Sequence, residues 1–232
     1  MTRIVLTRHG QTEWNVRPPR FRGRAELALT ETGLEQARAT ARRICDAYDP
    51  CAVYTSPLGR CVTTGEIIAR PLKLTSRALA GLNDIDYGAW QGLTAGEAKA
   101  GWPEEFATWS ETPYLARPPA GETLQEMLAR VSDTVRELLR EHPRDTAVLV
   151  GHDSVNRVLL LHALGLPLSS YPCLAQDNAA ISEIEFSDGR FRLKAMNETF
   201  HLESLQPRLA PRREVDTDHQ SADLAAHLAA HP

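Results

Sequence analysis

The chain has 232 residues, a formal net charge of −4 and a charged content of 24 %. With 42 % hydrophobic residues, this is the composition of a chain with an ordinary folded core. A slightly acidic chain offers no electrostatic reason to bind nucleic acid or an anionic membrane, so we expect neither as a partner.

The cysteines show no C-x-x-C pair and no regular spacing; they are Cys45, Cys51, Cys61 and Cys173. This pattern argues against a disulfide framework or a zinc site and favours reduced thiols. The opening residues contain no signal-peptide core, and no apolar run reaches the length of a membrane span. We therefore expect a cytoplasmic protein.

Short, continuous apolar runs predict three strands that are buried on both faces, as in a parallel sheet. They cover residues 3–7, 51–56 and 146–150. One helical pattern begins after Thr30, a suitable N-cap, and another covers residues 121–142. The alternation predicts an α/β fold, namely a three-layer α/β/α sandwich with a mostly parallel central sheet and an antiparallel edge.

The antiparallel edge is predicted near the end of the chain. Residues 181–197 alternate apolar and polar side chains around Asp188-Gly189, which is typical of a hairpin. No linker divides residues 1–205, so we assign them to one domain. Residues 206–232 are proline-rich, charged and poor in large apolar side chains, and we expect them to form a flexible tail.

The first and the third predicted strands each end in a histidine. Arg8-His9-Gly10 follows the first strand, and Gly151-His152-Asp153 follows the third. In parallel α/β sheets, ligands bind at the edge where the carboxyl ends of the strands lie. We therefore expect the two imidazoles to lie close together.

Positive charge is expected at the same edge. Ser56 as N-cap and Pro57 at the first helical position would open a helix with Arg60 in its first turn. The helix after the third strand would present free N–H groups to an anion. These groups suit a phosphoryl group, which Arg8 would hold and His9 would attack.

The same stretches resemble the histidine phosphatase superfamily, which includes cofactor-dependent phosphoglycerate mutases and small-molecule phosphatases. The matching segments occur in order from residue 2 to about residue 185. They are TRHGQTEWN, LTETGLEQA, YTSPLGRCVTTGEIIA, LNDIDYGAWQGLT, PPAGETL and VLVGHDSVNR. Together they place a catalytic domain of this family at residues 1–205.

The resemblance implies roles for individual residues. His9 would be the nucleophile that becomes phosphohistidine. The phosphate pocket would contain Arg8, Arg60 and His152, with Asn15 at its side and Asp153 at the following helix start. The family usually has glutamate where this chain has Asp84, which would be the general acid. Its side chain is shorter by one methylene, so Asp86 is a second candidate, and an acidic turn without catalytic function also stays open.

The chemistry requires specific protonation states. His9 must be neutral, with its second ring nitrogen donating to a backbone carbonyl. We expect a protonated His152 to help hold the charge on the phosphoryl oxygens. Asp84 should be protonated when it serves the leaving group and should then act as a base on water. We expect no cofactor and no metal, because the clustered arginines would repel a cation next to Asp153.

An arginine-rich segment follows the first site loop; it carries Arg17, Arg20, Arg22 and Arg24. Such a run is usually a solvated face, and the alternative is that Arg22 or Arg20 binds a second anionic group of the substrate.

The middle of the chain resembles that of the phosphatases of the family, so we predict a phosphomonoesterase that acts on a small phosphorylated metabolite. A phosphoglycerate mutase and a phospho-ligand binding protein with little turnover stay open, as does a homodimer.

Overall fold

The computed structural model describes residues 1–16 and 18–205, so the predicted tail, residues 206–232, lies outside the described residues. The strands are β1 (Thr2–Arg8), β2 (Ala52–Thr55), β3 (Ser76–Ala78), β4 (Thr146–Gly151), β5 (Ile181–Ser187) and β6 (Arg190–Glu198). The α-helices are α1 (Glu31–Ala47), α2 (Gly59–Ala69), α3 (Ala95–Gly101), α4 (Pro103–Glu111), α5 (Leu124–Glu141) and α6 (Asp153–Leu164). None of these helices combines the length and the apolar character needed to cross a membrane.

The strands form one mixed sheet in the order β3-β2-β4-β1-β5-β6. The first four strands of this order are parallel, whereas β5 and β6 pair antiparallel at one side. The three predicted apolar runs therefore correspond to β1, β2 and β4, and β1 lies directly beside β4. This topology confirms the predicted sheet and brings the carboxyl ends of β1 and β4 together.

Alternate side chains of β1 supply two separate cores. Ile4 and Leu6 pack with residues of α5 and α6, whereas Val5 packs with residues of α1 and α2 on the opposite face. A strand with apolar residues on both faces needs a helical layer on each side. The predicted three-layer α/β/α sandwich is confirmed.

The edge hairpin is also confirmed. Asp188 and Gly189 join β5 to β6 with φ angles of 54° and 72°, both in the left-handed region. Two such residues make the tight turn whose twist matches that of antiparallel strands, and Asp-Gly tolerates it well. The turn chemistry thus fixes the pairing of the last two strands.

The start of α2 differs from the prediction. The helix begins at Gly59 after Leu58 as N-cap, rather than after Ser56. The Ser56 N–H donates to the carbonyl oxygen of Val150 at 3.0 Å, so this residue still belongs to the sheet ladder. Its hydroxyl accepts from the Leu58 N–H at 3.3 Å and forms a short turn. The strand β3 and the helices α3 and α4 are additions that the sequence patterns did not predict.

Two glycines let the loop after β1 lie directly on α1. A Cβ atom on Gly10 would collide with the carbonyl oxygen of Gly33, and one on Gly33 would collide with the carbonyl oxygen of Gln11. Thr30 caps α1 as predicted, because its hydroxyl oxygen accepts from the Gly33 N–H at 3.1 Å. The Thr30 hydroxyl also donates to Oε1 of Gln11 at 2.9 Å. The helix start therefore holds the loop that carries His9.

We expect Gly33→Ala to lower the free energy of unfolding by about 1–3 kcal/mol, the range typical of overpacking. Helix propensity alone would favour alanine by about 1 kcal/mol, so the backbone collision reverses the sign. Gly101→Ala is the matched control, since a Cβ there meets nothing within 4 Å. Urea unfolding of both variants checks this, and a stabilised Gly33→Ala would contradict the proposed close contact.

Candidate active site

The structure brings His9 and His152 together at the carboxyl edge of the sheet. Both side chains are completely buried, and their ring centroids are 5.3 Å apart in an edge-on arrangement. The backbone N–H of His9 donates to the backbone carbonyl oxygen of Gly151 at 3.0 Å. This bond continues the pairing of β1 with β4 one residue beyond the end of β1. Two neighbouring parallel strands therefore position the two rings.

The His9 ring has one fixed nitrogen and one unpartnered nitrogen. Nδ1 lies 2.7 Å from the carbonyl oxygen of Gly10 and donates to it, so the lone pair resides on Nε2. Nε2 is buried and has no hydrogen-bond partner among the described residues. Burial, followed by the charges of Arg60 and Arg8, lowers the pKa of His9 well below its ordinary value. The ring is neutral and presents a nucleophilic nitrogen.

Arg60 connects the parts of the site. Its guanidinium is completely buried and donates to the carbonyl oxygens of Gly23 at 2.6 Å and Ala25 at 2.8 Å. It also pairs with Oδ2 of Asp84 at 3.1 Å, and its Nε donates to Nδ1 of His152 at 3.3 Å. One side chain from the first turn of α2 thereby links two loops to the histidine that follows β4.

His152 differs from the expectation of a protonated ring. Because Nδ1 accepts from Arg60, its proton is on Nε2. Burial, then the charges of Arg60 and His9, lowers the pKa of His152 well below its ordinary value. In this structure the ring is therefore neutral, and its Nε2–H is directed at the sulfur of Cys61, a weak acceptor 3.5 Å away.

The two candidate carboxylates occupy different environments. Asp84 is 4 % exposed, and its Oδ2 lies 3.6 Å from Nδ1 of His152. Burial raises the pKa of Asp84, while the charge of Arg60 opposes this shift. Asp86 instead accepts from the Gly88 N–H at 2.8 Å and pairs with Arg24 at 3.5 Å. Of these two carboxylates, only Asp84 has a recorded contact with an imidazole, that of His152.

The predicted phosphate-binding arginines Arg8 and Arg22 each carry a buried Nε without a hydrogen-bond partner among the described residues. Arg8 also donates through Nη1 to the carbonyl oxygen of Gln176, and its burial lowers its pKa to about 10. Arg20 is engaged elsewhere, because its Nη1 pairs with Glu97 at 3.1 Å. Of the two alternatives, Arg22 is the one with an unsatisfied donor.

Asn15 and Asp153 lie at the margin of the site. Oδ1 of Asn15 accepts from both the N–H and the hydroxyl of Thr12 at 2.9 Å, which closes the loop after β1. The carboxylate of Asp153 pairs with Nε of Arg157 at 3.0 Å, one turn further along α6. This carboxylate would repel an anion. The group that Asp153 can offer to a phosphate is therefore its backbone N–H, at the first residue of α6.

Sequence reasoning missed two residues that hold the site from the segment before β5. Asn178 donates from its side-chain amide to the carbonyl oxygen of His9 at 3.1 Å. The backbone of Gln176 receives the Arg8 guanidinium. Neither residue belongs to a motif, because a carbonyl or amide that supports a loop carries no sequence signal of its own.

The model of the histidine phosphatase superfamily (branch 1) matches residues 4–199. The chain belongs to this family. Phosphoserine phosphatase 1 of Hydrogenobacter thermophilus is 31 % identical over 202 residues, which cover 87 % of this chain and 95 % of that protein. A 2,3-bisphosphoglycerate-dependent phosphoglycerate mutase of Methylobacterium sp. is 36 % identical over 179 residues, or 74 % of this chain and 85 % of the mutase.

Solved structures agree with this assignment. The mycobacterial glucosyl-3-phosphoglycerate phosphatase Rv2419c, solved with VO3, is 31 % identical, with a TM-score of 0.78 over 85 % of this chain and 99 % of the other. Some relatives are longer: the chain spans 55 % of the bifunctional protein Rv2228c of Mycobacterium tuberculosis, at 33 % identity over 202 residues. The predicted fold and family are both confirmed.

We expect Arg22→Ala to weaken the binding of inorganic phosphate by about 10- to 100-fold, the scale of one hydrogen bond to a charged group. Arg20→Ala is the matched control and should change phosphate binding less than about threefold, because Arg20 is held by Glu97. Isothermal calorimetry with phosphate measures both without relying on turnover. Equal losses in the two variants would contradict the assignment of the unsatisfied donor.

Proposed function

We propose that this chain is a phosphomonoesterase that hydrolyses a small phosphorylated metabolite through a phosphohistidine at His9. The observation that carries the proposal is the neutral His9 ring, with Nδ1 fixed by Gly10 and the buried Nε2 left unpartnered. The unsatisfied donors of Arg8 and Arg22 surround it with positive charge. A nucleophile among cations that lack anionic partners suits a phosphoryl dianion.

In the first step, the Nε2 lone pair of His9 forms a bond to phosphorus while the bond from phosphorus to the leaving oxygen breaks. Asp84 donates its carboxyl proton to that oxygen, and its raised pKa favours the protonated form. Arg8 and Arg60 stabilise the charge on the transferring phosphoryl group, together with the Nε2–H of His152, which exchanges its weak contact with the Cys61 sulfur for a phosphoryl oxygen. The neutral His152 thus serves as a donor without carrying a charge of its own.

In the second step, water attacks the phosphohistidine and the bond between phosphorus and nitrogen breaks. The Asp84 carboxylate accepts a proton from the water, which restores the carboxyl group, and inorganic phosphate leaves with His9 neutral again. No step uses a metal or a cofactor. Both imidazoles are completely buried, and Arg22, whose charge acts on His9, also lines a surface pocket of about 220 Å³ through which we propose that the phosphate enters.

Two other functions compete with this proposal. A phosphoglycerate mutase is favoured by the 36 % identity to the Methylobacterium enzyme. A mutase must return the phosphoryl group to an organic acceptor, so transfer between phosphoglycerate isomers with a bisphosphate primer, in excess over phosphate release, would support it. A phospho-ligand binding protein with little turnover would bind phosphate but form no phosphoenzyme.

The relatives define a first set of substrates for a screen. Phosphoserine and glucosyl-3-phosphoglycerate are the substrates in the names of two of these relatives, and each carries a carboxylate or a sugar beside the phosphate.

We place the activity in the cytoplasm, because all four cysteines are unpaired. Residues 1–205 form the catalytic domain in this proposal, and a small metabolite is the partner.

We expect His9→Ala to lower turnover by at least about 10³-fold, the scale on which removal of a nucleophile acts, and to abolish the phosphoenzyme. Rapid quenching with a labelled aryl phosphate, followed by alkaline gel analysis, measures the intermediate. His162→Ala, at an exposed position of α6, is the matched control and should retain both the turnover and the phosphoenzyme. A chelator should leave turnover unchanged. A phosphorylated His9→Ala variant would remove His9 as the nucleophile.

We expect Asp84→Asn to slow an alkyl phosphate by about 10²- to 10⁴-fold while phosphorylation by a nitrophenyl ester changes little, since only a poor leaving group needs the proton. Asp86→Asn, at a half-buried turn position away from the imidazoles, should slow the reaction of neither ester. Steady-state and single-turnover rates with both esters test this. The opposite pattern would identify Asp86 as the acid.

The pH profile gives an independent readout of Asp84. The acid form exists below its raised pKa, so kcat/KM for an alkyl phosphate should fall as the pH rises through that value. The lowered pKa of His9 keeps the nucleophile neutral across the same range. Substrate phosphate also ionises near pH 6, so the comparison with Asp84→Asn isolates the enzyme's group. An alkaline limb that persists unchanged in this variant would assign it to the substrate.

A further inference from the structure

We propose that the chain binds a zinc ion at the end of the sheet opposite the two imidazoles. Cys51, His142 and Asp145 each offer one ligand atom, and these three atoms lie within 4.8 Å of one another. Sγ of Cys51 is 3.4 Å from Nδ1 of His142, and Oδ2 of Asp145 is 3.7 Å from the same nitrogen. The phosphoryl chemistry at the other edge uses none of these residues.

The separations fit tetrahedral zinc. With bonds of about 2.3 Å to sulfur and about 2.1 Å to nitrogen or oxygen, neighbouring ligands lie about 3.4–3.6 Å apart. The two measured separations are within a few tenths of an ångström of this range. Cys51 and Asp145 are exposed, so their side chains can close on the ion without a change in the main chain.

The buried member of the set is already oriented. Nε2 of His142 lies 2.8 Å from the hydroxyl of Tyr54, which also accepts from Arg77. When Nε2–H donates to this hydroxyl, the lone pair of Nδ1 faces Cys51 and Asp145. The Thr2 hydroxyl holds the backbone of His142 by donating to its carbonyl oxygen. Such outer contacts fix the tautomer and the orientation of metal-binding histidines.

The donor set favours zinc over Mg²⁺ and Ca²⁺. One sulfur, one imidazole nitrogen and one carboxylate suit Zn²⁺, whereas Mg²⁺ and Ca²⁺ prefer oxygen ligands alone. On binding, the Cys51 thiol releases its proton to solvent, and the thiolate and carboxylate neutralise the two charges of the ion. Asp49 and Arg144 line the same surface pocket of about 400 Å³, so one charge of each sign flanks a site that zinc leaves without net charge. Solvent supplies the fourth ligand.

The position implies a structural role. The three ligands come from the residue before β2, the residue after α5 and the residue before β4, so the ion joins three elements. The six residues of β4 separate this edge from His152 by about 20 Å at the rise of a strand. Zinc should therefore change stability and leave phosphoryl chemistry alone.

The test uses the full reduced chain after treatment with a chelator, titrated with ZnCl₂ by calorimetry and with CoCl₂ by absorption spectroscopy. We expect one ion per chain, a higher thermal midpoint and a band from thiolate-to-cobalt charge transfer. Cys51→Ser should lower the affinity by more than about 100-fold and remove the band, and Tyr54→Phe should lower it by about 10-fold. Cys45→Ser, at another exposed thiol, should change neither property.

Three results would overturn the proposal. These are zinc affinity that is equal in Cys51→Ser and the unsubstituted chain, a cobalt spectrum without a thiolate band, and the same loss in Cys45→Ser. The chain has three histidines beyond residue 205, His219, His227 and His231. Zinc bound by those residues would keep its affinity in Cys51→Ser and would be recognised in this way. Circular dichroism confirms folding of each variant.

Discussion

Burial of positive charge at one edge of the sheet is the constraint on which the rest of the site depends. Arg60 is completely removed from solvent, which costs several kcal/mol unless its donors are satisfied. Two backbone carbonyls, Asp84 and His152 satisfy them. The loops that carry Gly23 and Asp84 are therefore held where the guanidinium needs acceptors. Fold and site therefore share one network of contacts, which centres on the buried guanidinium of Arg60.

The same low-polarity environment shifts the pKa values of two groups in opposite directions. Burial disfavours the charged form of both, so the pKa of His9 falls while that of Asp84 rises. The arginines that would bind the phosphoryl group lower the pKa of His9 further, so the positive charge that suits a phosphate also favours the neutral form of the proposed nucleophile. Opposite shifts of this kind favour a neutral imidazole and a protonated carboxyl in one site, the pair of forms that attack on phosphorus and protonation of a leaving group require.

Local signals explain which features were predictable. His9 and His152 follow continuous apolar runs, and the register of parallel strands then determines that they meet. The start of α2 was not predictable, because Ser56 is an equally good cap and only its pairing with β4 keeps it in the sheet. The choice between Arg20 and Arg22 depends on a partner, Glu97, that is 77 residues away in the sequence. Such choices follow from packing and have no local pattern.

The two ends of the parallel strands show how one sheet can keep a site suited to an anion apart from a site suited to a cation. At the carboxyl edge, Arg8 and Arg60 exclude a cation and favour a dianion. At the amino edge, a thiol, an imidazole and a carboxylate converge although Cys51 and His142 are 91 residues apart, which is why cysteine spacing argued against zinc. Strands of the same direction bring all their starts to one end and all their finishes to the other. The proposed zinc ion at one end and the proposed phosphoryl transfer at the other are therefore compatible within one fold, since about 20 Å of strand separates the two groups of charges.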